Sequence, residues 1–296
     1  MEDRCRSEFT DTLPTANFPH RADCFCFDAS DRGASLSAVR LIFTVLLFVC
    51  SLASPLCGRD ATVLRVGMEL SYPPFEMADA KGQPEGVSVD LARALADSLS
   101  RKLEILNIPF DGLIPSLKTG KIDIILSSMS ATPERAKAID FSEPYLSTGL
   151  CLLAGKDSPV QTAADCDRPG RTVAVKQGTT GHLHARQFRQ ARVLVLDRET
   201  ACVLEVVQGK ADAFLYDQMS VLKHWQQNPN TTRALLEPFQ KEQWAIGFRK
   251  GDDALRTQVN SFLKEFRGRG GFEDLGNRWL GPQKEAFRAA GIPFVF

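Results

Sequence analysis

The chain has 296 residues, and its 36 lysine and arginine residues match 36 aspartate and glutamate residues, so the formal net charge at pH 7 is zero. Because no basic field attracts phosphate groups, this balance argues against nucleic acid or an acidic lipid surface as the partner. The length suits two domains at roughly 100 to 200 residues each once a targeting segment is removed. We therefore expect a small partner and a protein with room for a cleft between two lobes.

The first predicted feature is a targeting segment. Arg40 precedes an apolar run at residues 41–53 that ends in small residues, as in a signal peptide. A transmembrane helix is the weaker alternative, because a span needs about 20 apolar residues. Cys50 and Cys57 flank the expected cleavage zone and are the candidates for a lipid anchor, although neither lies in a strict lipobox. We expect export, with residues 1–60 forming an N-terminal extension and signal peptide.

The next elements alternate between strands and helices. From residue 61, short β-rich runs and apolar patterns of helical period follow each other, which is typical of a parallel α/β fold. Two such cycles are predicted, and the later chain adds a strand at residues 243–248. The predicted strands of the cycles are residues 63–68, 103–108, 122–126, 172–175, 193–196 and 211–215. Six helices are predicted alongside these strands. The first carries Leu91, Leu95 and Leu99, the second ends at Thr119, the third begins at Thr180 and the fourth ends at Gln208. The last two cover residues 253–266 and 272–280.

A polar stretch from Ser127 to Arg135 follows the third predicted strand. Thr132 is a good N-cap, and Pro133 suits the first position of a helix, where its missing N–H costs nothing. The free N–H groups and the positive end of the helix dipole favour an anion there, and Arg135 adds a two-pronged donor suited to a carboxylate. The alternative is a solvated surface arginine. On the carboxylate hypothesis, we expect Arg135 to lie exposed in a cleft.

A local repeat predicts a second polar cluster. Residues 119–124 and 208–213 share the pattern Gly-Lys-x-Asp, in which the glycine ends a helix and a strand follows. The first strand leads to the serines of the polar stretch, and the second leads to Tyr216 and Asp217. Ligands of open α/β sheets bind beyond the carboxyl ends of the strands. Two lobes that face each other would therefore share one site.

Several motifs together give the chain a resemblance to a known family. In chain order they are Tyr-Pro-Pro-Phe-Glu at 72–76, Gly-Val-Ser-Val-Asp-Leu at 86–91, Phe-Asp-Gly-Leu-Ile-Pro-Ser-Leu at 110–117, the polar stretch at 128–135, Ile-Asp-Phe-Ser-Glu-Pro-Tyr at 139–145 and Gln-Gly-Thr-Thr at 177–180. From about residue 63 to residue 281, the chain resembles the amino-acid-binding proteins of ABC importers, the bacterial extracellular solute-binding proteins of family 3.

The resemblance implies a fold and a division of the chain. The fold is α/β, of the type II periplasmic-binding-protein class, with two α/β lobes joined by two hinge strands. Lobe 1 would comprise residues 61–147 and 244–296, the latter with the C-terminal helices, and lobe 2 would comprise residues 148–243. We expect the two hinge strands to make closure of the cleft possible.

The resemblance also assigns roles to residues of this chain. Arg135, the Ser130 hydroxyl and amides near Thr179 and Thr180 would hold the α-carboxylate of an amino acid. Asp217 would accept from its ammonium group. The remaining implied ligand-binding residues are the carbonyl of Ser128, its neighbour Met129, the aromatic walls Tyr72 and Phe110, and Glu69 and Lys176, which would read the ligand side chain. Because a buried charge is costly unless it is paired, we expect ligand binding to close the cleft.

The charges of Glu69 and Lys176 bear on which amino acid is bound. Glu69 attracts a cationic or amide side chain, whereas Lys176 disfavours a second positive charge. Together they favour a polar neutral side chain. We expect glutamine first and a basic amino acid, such as arginine or histidine, second.

The implied function is that of a monomeric, non-catalytic binding protein that works in the periplasm or otherwise outside the cytoplasm. It would deliver a free amino acid to the membrane permease of an ABC importer, without a cofactor or a metal. One alternative is a dehydratase acting on prephenate-like acids, because some such enzymes share this fold, although no nucleophile beside a base is evident. Another is a ligand-sensing module, which would need a signalling partner.

Overall fold

The computed structural model describes residues 62–292. The expected signal peptide, with Cys50 and Cys57, lies outside these residues, as do residues 293–296 at the C-terminus. Among the helices of the described part, none combines the length and the apolar character that crossing a bilayer requires.

The strands follow the predicted α/β alternation, with additional short strands near the start. They are β1 (Val63–Met68), β2 (Ser71–Tyr72), β3 (Glu76–Ala78), β4 (Pro84–Glu85), β5 (Lys102–Asn107), β6 (Ile124–Ile125), β7 (Ile139–Phe141), β8 (Leu146–Gly155), β9 (Thr172–Lys176), β10 (Arg192–Leu196), β11 (Ala213–Asp217), β12 (Thr232–Trp244) and β13 (Gly247–Arg249).

The helices fill the intervals between the strands and form the end of the described chain. They are α1 (Val87–Ser98), α2 (Leu113–Lys118), α3 (Pro133–Ala136), α4 (Ala163–Cys166), α5 (Thr180–Ala185), α6 (Glu199–Val207), α7 (Gln218–Gln227), α8 (Asp253–Gly268), α9 (Gly271–Trp279) and α10 (Gly281–Ala289). A 3₁₀ turn at Phe110–Gly112 precedes α2. The apolar face of α1 is buried as its spacing predicts, with Leu91 and Leu95 in the core.

Two larger mixed sheets form the centres of the two lobes. One has the strand order β5-β1-β6-β13-β7 and the other β10-β9-β11-β8-β12. The strands β5, β1 and β6 are parallel, as are β10, β9 and β11, which confirms the parallel arrangement predicted within each cycle. The strands that complete each sheet, β13 in one and β8 in the other, are antiparallel to their neighbours. The architecture is the two-lobed type II fold.

Two antiparallel strands connect the lobes. The start of β8 pairs with the end of β12, with Leu146 opposite Trp244 and Thr148 opposite Glu242. The chain leaves β12 at Trp244 and continues directly into β13 of the first sheet. Ser130, in the polar stretch, forms a further bridge with Trp244. We call the paired segment of β8 and β12, from Leu146 and Trp244 to Thr148 and Glu242, the crossing; the polar stretch of one lobe lies beside it. The lobe boundaries at residues 147 and 243 stay a prediction.

The strand β12 is much longer than predicted, since the sequence indicated a strand only from residue 243. Its pairing with β8 has a register shift between Leu235 and Gln240, and Pro238 lies in that interval. Proline cannot donate to a ladder and is tolerated at such irregularities. Because this irregularity breaks the alternation of apolar and polar residues, the sequence does not indicate the part of the strand before residue 243. The helix α10 was also not predicted, although it buries Phe287.

Candidate functional site

The polar stretch ends in a capped helical turn, as the sequence predicts. The Thr132 side chain accepts a hydrogen bond from the backbone N–H of Arg135 at 3.2 Å, and Pro133 occupies the first turn of α3. The cap satisfies one of the otherwise free N–H groups at the start of the turn. It also fixes the backbone from which the Arg135 side chain extends.

Arg135 is buried, with a relative exposure of 6%, so the expectation of an exposed cleft arginine is wrong. It donates from Nη1 to the carbonyl of Ser130 at 2.7 Å and from Nη2 to the carbonyl of Gly178 at 3.0 Å. The second bond crosses from one lobe to the other. The guanidinium also lies over the ring of Phe110, 5.3 Å from its centroid. These contacts hold the group in place, and a guanidinium has more N–H donors than the two that are used.

Burial lowers the pKa of Arg135 to about 10, and the negative charge of Glu242 opposes that change. At neutral pH, the arginine therefore keeps its charge. A fixed, desolvated guanidinium with spare donors is well suited to hold a carboxylate.

The serines at the start of the stretch surround a buried carboxyl group, Glu76. Ser88 and Ser128 donate to its Oε2 at 2.7 and 3.0 Å, and the hydroxyl of Ser127 lies 3.4 Å from its Oε1. Burial raises the pKa of Glu76 to about 8, although the serine hydrogen bonds lower it. Ser128 also has a φ of 46°, in the left-handed region that residues with a side chain seldom adopt. The serine cluster is thus built around a carboxyl group that is mostly protonated at neutral pH.

Asp217 lies at the end of β11 and caps α7. Its Oδ1 accepts from the backbone N–H groups of Met219 and Ser220, each at 3.0 Å, and from the hydroxyl of Tyr72 at 2.7 Å. The bond from Tyr72 joins the two lobes. Two causes raise the pKa of Asp217 to about 6: the larger is burial, and the smaller is the negative charge of Glu199. Its other oxygen, Oδ2, makes no hydrogen bond with any residue in the described range, and so remains available to an ammonium group.

Aromatic side chains surround the site. Tyr72 stacks on Phe75 with ring centroids 5.5 Å apart, and it meets the edges of Trp244 and Tyr216 at 5.8 and 6.3 Å. Phe110 lies under the guanidinium of Arg135. Different contacts therefore hold the two predicted aromatic walls. Tyr72 packs in an aromatic cluster with Phe75, Trp244 and Tyr216, whereas Phe110 makes a cation–π contact with Arg135.

Glu69 and Lys176 form an ion pair between the lobes. The Lys176 ammonium donates directly to Oε2 of Glu69, and the lysine is buried, with 3% exposure. Its Nζ also lies 5.8 Å from the centroid of the Phe110 ring. The two predicted specificity residues thus neutralise each other.

The side chains of both lobes line a small cavity of about 40 Å³. Of the predicted ligand-binding residues, those that line it are Glu69, Tyr72, Phe110, Ser128, Ser130, Arg135, Thr179, Thr180 and Asp217. Lys176 stands behind Glu69, outside the lining. Met129 also lies outside the lining, because its side chain is buried in a hydrophobic cluster with Ile108 and Leu113.

Five further residues line the cavity that were not among the predicted ligand-binding residues: Glu76, Ser127, Tyr216, Glu242 and Trp244. Glu76 lies inside the Tyr-Pro-Pro-Phe-Glu motif, and Ser127 and Tyr216 adjoin predicted site residues, so a signal for these was present. Glu242 lies between the irregular part of β12 and the strand predicted at residues 243–248, and Trp244 lies within that predicted strand. Neither position carried a sequence signal for a cavity residue.

Glu242 connects the lobes at the crossing. Its Oε2 accepts from the hydroxyl of Ser130 at 2.7 Å and from the hydroxyl of Thr180 at 3.2 Å, and its Oε1 accepts from the amide of Gln240 at 3.0 Å. Thr180 is the first residue of α5, whose N-cap is Thr179. A single carboxylate therefore holds the hydroxyls of two predicted carboxylate-binding residues.

The site combines a fixed cation, a buried anion and aromatic walls, which suits a small zwitterion. Across the described part of the chain, no group of three or more histidine, cysteine, aspartate or glutamate side chains is arranged to hold a metal ion. His182 is engaged with the backbone instead, because its Nδ1 accepts from the N–H of Gly178 at 3.1 Å.

Known proteins share this architecture. Residues 64–282 match the family model of the bacterial extracellular solute-binding proteins, family 3. The L-cystine-binding protein TcyJ of Escherichia coli K12 is 29% identical over 226 residues, which cover 75% of this chain and 84% of that protein.

Solved structures agree with this match. An ancestral arginine-binding protein bound to arginine is 33% identical with a TM-score of 0.69, covering 74% of this chain and 99% of the other. An ancestral arginine-binding protein bound to glutamine is also 33% identical, with a TM-score of 0.66, and the match covers 74% of this chain and 98% of the other. The ancestral amino-acid-binding protein AncCDT-1, a precursor of cyclohexadienyl dehydratase, is 36% identical with a TM-score of 0.67. That match covers 74% of this chain and 95% of the other. The chain belongs to the bacterial extracellular solute-binding proteins of family 3.

Proposed function

We propose that the protein binds a polar amino acid outside the cytoplasm and delivers it to an ABC importer. The observation that carries this proposal is the pair of opposite charges on one cavity: Arg135 comes from one lobe and Asp217 from the other. The α-carboxylate of the ligand would bind Arg135, and its ammonium group would bind Oδ2 of Asp217. Only a closed cleft pairs both ends, so binding would stabilise closure.

The ligand side chain would extend toward Glu69. Because Lys176 already neutralises one oxygen of Glu69, a second full positive charge there gains less than it would from a free carboxylate. A neutral amide can still donate to Glu69. We therefore place glutamine first and a basic amino acid such as arginine second, and similar structures with arginine and with glutamine bound are consistent with both.

Membership of the family supports a proposal for the partners and the location. The ligand would be a free amino acid, and the receiving partner would be the membrane permease of an ABC importer. We propose a periplasmic or other extracytoplasmic location for a monomer that is exported by the signal peptide, with Cys50 or Cys57 as the residue to examine for lipid attachment. The lobe boundaries at residues 147 and 243 belong to the same proposal.

A non-catalytic role fits the chemistry of the cavity best. The polar groups that line it would pair with a zwitterion, with Arg135 for the carboxylate and Asp217 for the ammonium group. Lining hydroxyls such as that of Ser130 do donate to a carboxylate, Glu242, so turnover has to be tested directly. The similarity to AncCDT-1, a binding protein described as a precursor of a dehydratase, makes dehydration of prephenate the reaction to test. Turnover of prephenate by the purified protein would contradict the non-catalytic role.

The proposed function is tested by a thermal-shift screen of the twenty amino acids, followed by calorimetry of each positive. A ligand that binds only the folded state raises the melting temperature, by an amount that grows with the ratio of its concentration to Kd. We expect glutamine or a basic amino acid to give the largest shift, and decarboxylated analogues to give less. A screen in which no amino acid changes the melting temperature would contradict the proposal.

A further inference from the structure

Glu242 makes contacts that the binding of an amino acid does not require. It is buried, at 6% exposure, and lies on β12 at the crossing between the lobes, opposite Thr148 of β8. From this position it reaches Ser130 on one side and Thr180 on the other. The cavity wall thus contains a carboxylate of its own at the place where a ligand carboxylate is expected.

The two hydroxyls can serve only one acceptor at a time. A hydroxyl group carries a single hydrogen, and a carboxylate can only accept. When Ser130 and Thr180 donate to Oε2 of Glu242, neither has a hydrogen left for the carboxylate of a ligand. The ligand must then rely on Arg135 and backbone N–H groups, or displace the side chain of Glu242.

The negative charge of Glu242 also disfavours a ligand carboxylate, as its hydrogen bonds do. A second carboxylate beside these hydroxyls would lie close to the negative charge of Glu242, and like charges at short range in a desolvated site repel. Arg135 offsets part of this repulsion. Its guanidinium interacts with Glu242 electrostatically, while its two observed hydrogen bonds go to backbone carbonyls.

The same contacts join the lobes. Ser130 belongs to the polar stretch of the first lobe, and Thr180 starts α5 in the second. The carboxylate of Glu242 bridges them at 2.7 and 3.2 Å. Because these bonds are internal to the chain, they favour the closed arrangement independently of what is bound.

We propose that Glu242 is a specificity-determining residue that competes with the ligand carboxylate for the hydroxyls of Ser130 and Thr180 and also latches the two lobes together. The competition rests on the proposed function of amino-acid binding, whereas the latch does not. The residue lowers the affinity for ligands that carry a carboxylate at this position, relative to amines that lack one.

Two pairs of probes separate these effects. L-arginine and agmatine differ by the carboxylate alone, as do L-glutamine and 4-aminobutanamide. In the variant Glu242→Gln, we expect Kd for the bound amino acid to fall about tenfold, the scale of one charge-assisted contact, while Kd for its amine stays constant or rises. The matched control Glu237→Gln removes the same charge from an exposed position of β12 and should change neither value.

The latch has a separate measurement. Small-angle scattering of the variant without added ligand should give a larger radius of gyration than that of the wild type or Glu237→Gln. Circular dichroism of each protein verifies folding. The variant Glu242→Asp keeps the charge but retracts the carboxylate by one methylene, and it should also open the cleft while tightening amino-acid binding less than Glu242→Gln does.

The outcomes distinguish the two proposals. If an amino acid binds the wild type and Glu242→Gln with the same preference over its amine, the competition is wrong and the proposed function stands. If no amino acid binds either protein, the proposed function is wrong, and the competition with it. An unchanged radius of gyration in both variants overturns the latch in either case.

Discussion

The substitution Asp217→Asn should weaken ligand binding and stabilise the folded protein at the same time. It retains an oxygen acceptor for the N–H groups of Met219 and Ser220 and for the hydroxyl of Tyr72, which lie 2.7 to 3.0 Å from Oδ1. Asparagine and aspartate are equally good N-caps. The change therefore removes the negative charge while the local structure keeps its hydrogen bonds.

The effect on stability follows from burial. Burial and the charge of Glu199 raise the pKa of Asp217 from 3.8 to about 6. This difference corresponds to about 3 kcal/mol at most, since each tenfold change in an equilibrium constant is worth about 1.4 kcal/mol. The folded state holds the proton more tightly than the unfolded state, so stability falls as the pH rises from 3.8 through about 6. The Asp217→Asn variant avoids that loss, and its free energy of unfolding should exceed that of the wild type by about 1 to 3 kcal/mol above about pH 7.

The effect on binding has the opposite sign. An ammonium group loses its charged acceptor, which costs about 1.5 to 3 kcal/mol and raises Kd about 10- to 150-fold. Calorimetry with L-glutamine and L-arginine measures this change, and urea unfolding at about pH 5 and about pH 8 measures the stability. The control Asp197→Asn, at an exposed position before α6, should alter neither. A Kd within about threefold of the wild type would refute the ammonium role, because a charge-assisted bond is worth more than that.

Three further substitutions test other parts of the site. Arg135→Lys keeps the charge but cannot span the carbonyls of Ser130 and Gly178, so calorimetry should show Kd rising about tenfold or more; unchanged affinity would mean that only the charge matters. Burial raises the pKa of Glu76 from 4.5 to about 8, so the wild type loses stability as the pH rises through this range; Glu76→Gln should match the wild type at about pH 4 and exceed it increasingly up to about pH 8, and urea unfolding that shows no pH-dependent difference would contradict this account. Gly178→Ala should hinder closure and raise Kd, because Gly178 has a φ of 75° and an added Cβ would lie 3.0 Å from the Cβ of Asp111 in the facing lobe; scattering that shows full closure with ligand would refute it.

Several features of the site were predictable because they depend on neighbours in the sequence. The cap at Thr132 and the helical turn that follows it need only residues within one turn of each other. Asp217 at the end of a strand was indicated by the repeat of Gly-Lys-x-Asp. Local patterns of this kind carry their own physical reason, so they can be read without knowledge of the tertiary structure.

Other features depend on which segments meet. Arg135 was expected to be exposed, but the carbonyl of Gly178 and the ring of Phe110 cover it, and both come from distant parts of the chain. Met129 lies between two cavity serines, yet its side chain packs into the core of its own lobe. Neighbouring residues can thus face opposite environments, and the sequence does not reveal which one each residue meets.

The amino-acid sequence by itself determined the family, the alternation of strands and helices, and the two charged residues on which the proposed function rests. The tertiary structure decided how those charges are surrounded. Glu242 reaches Ser130 across 112 positions of the chain, and Tyr72 reaches Asp217 across 145. Such contacts follow from the register of β8 with β12 and from the approach of the two lobes. Neither leaves a pattern in the sequence, because each depends on the packing of segments that are far apart in it.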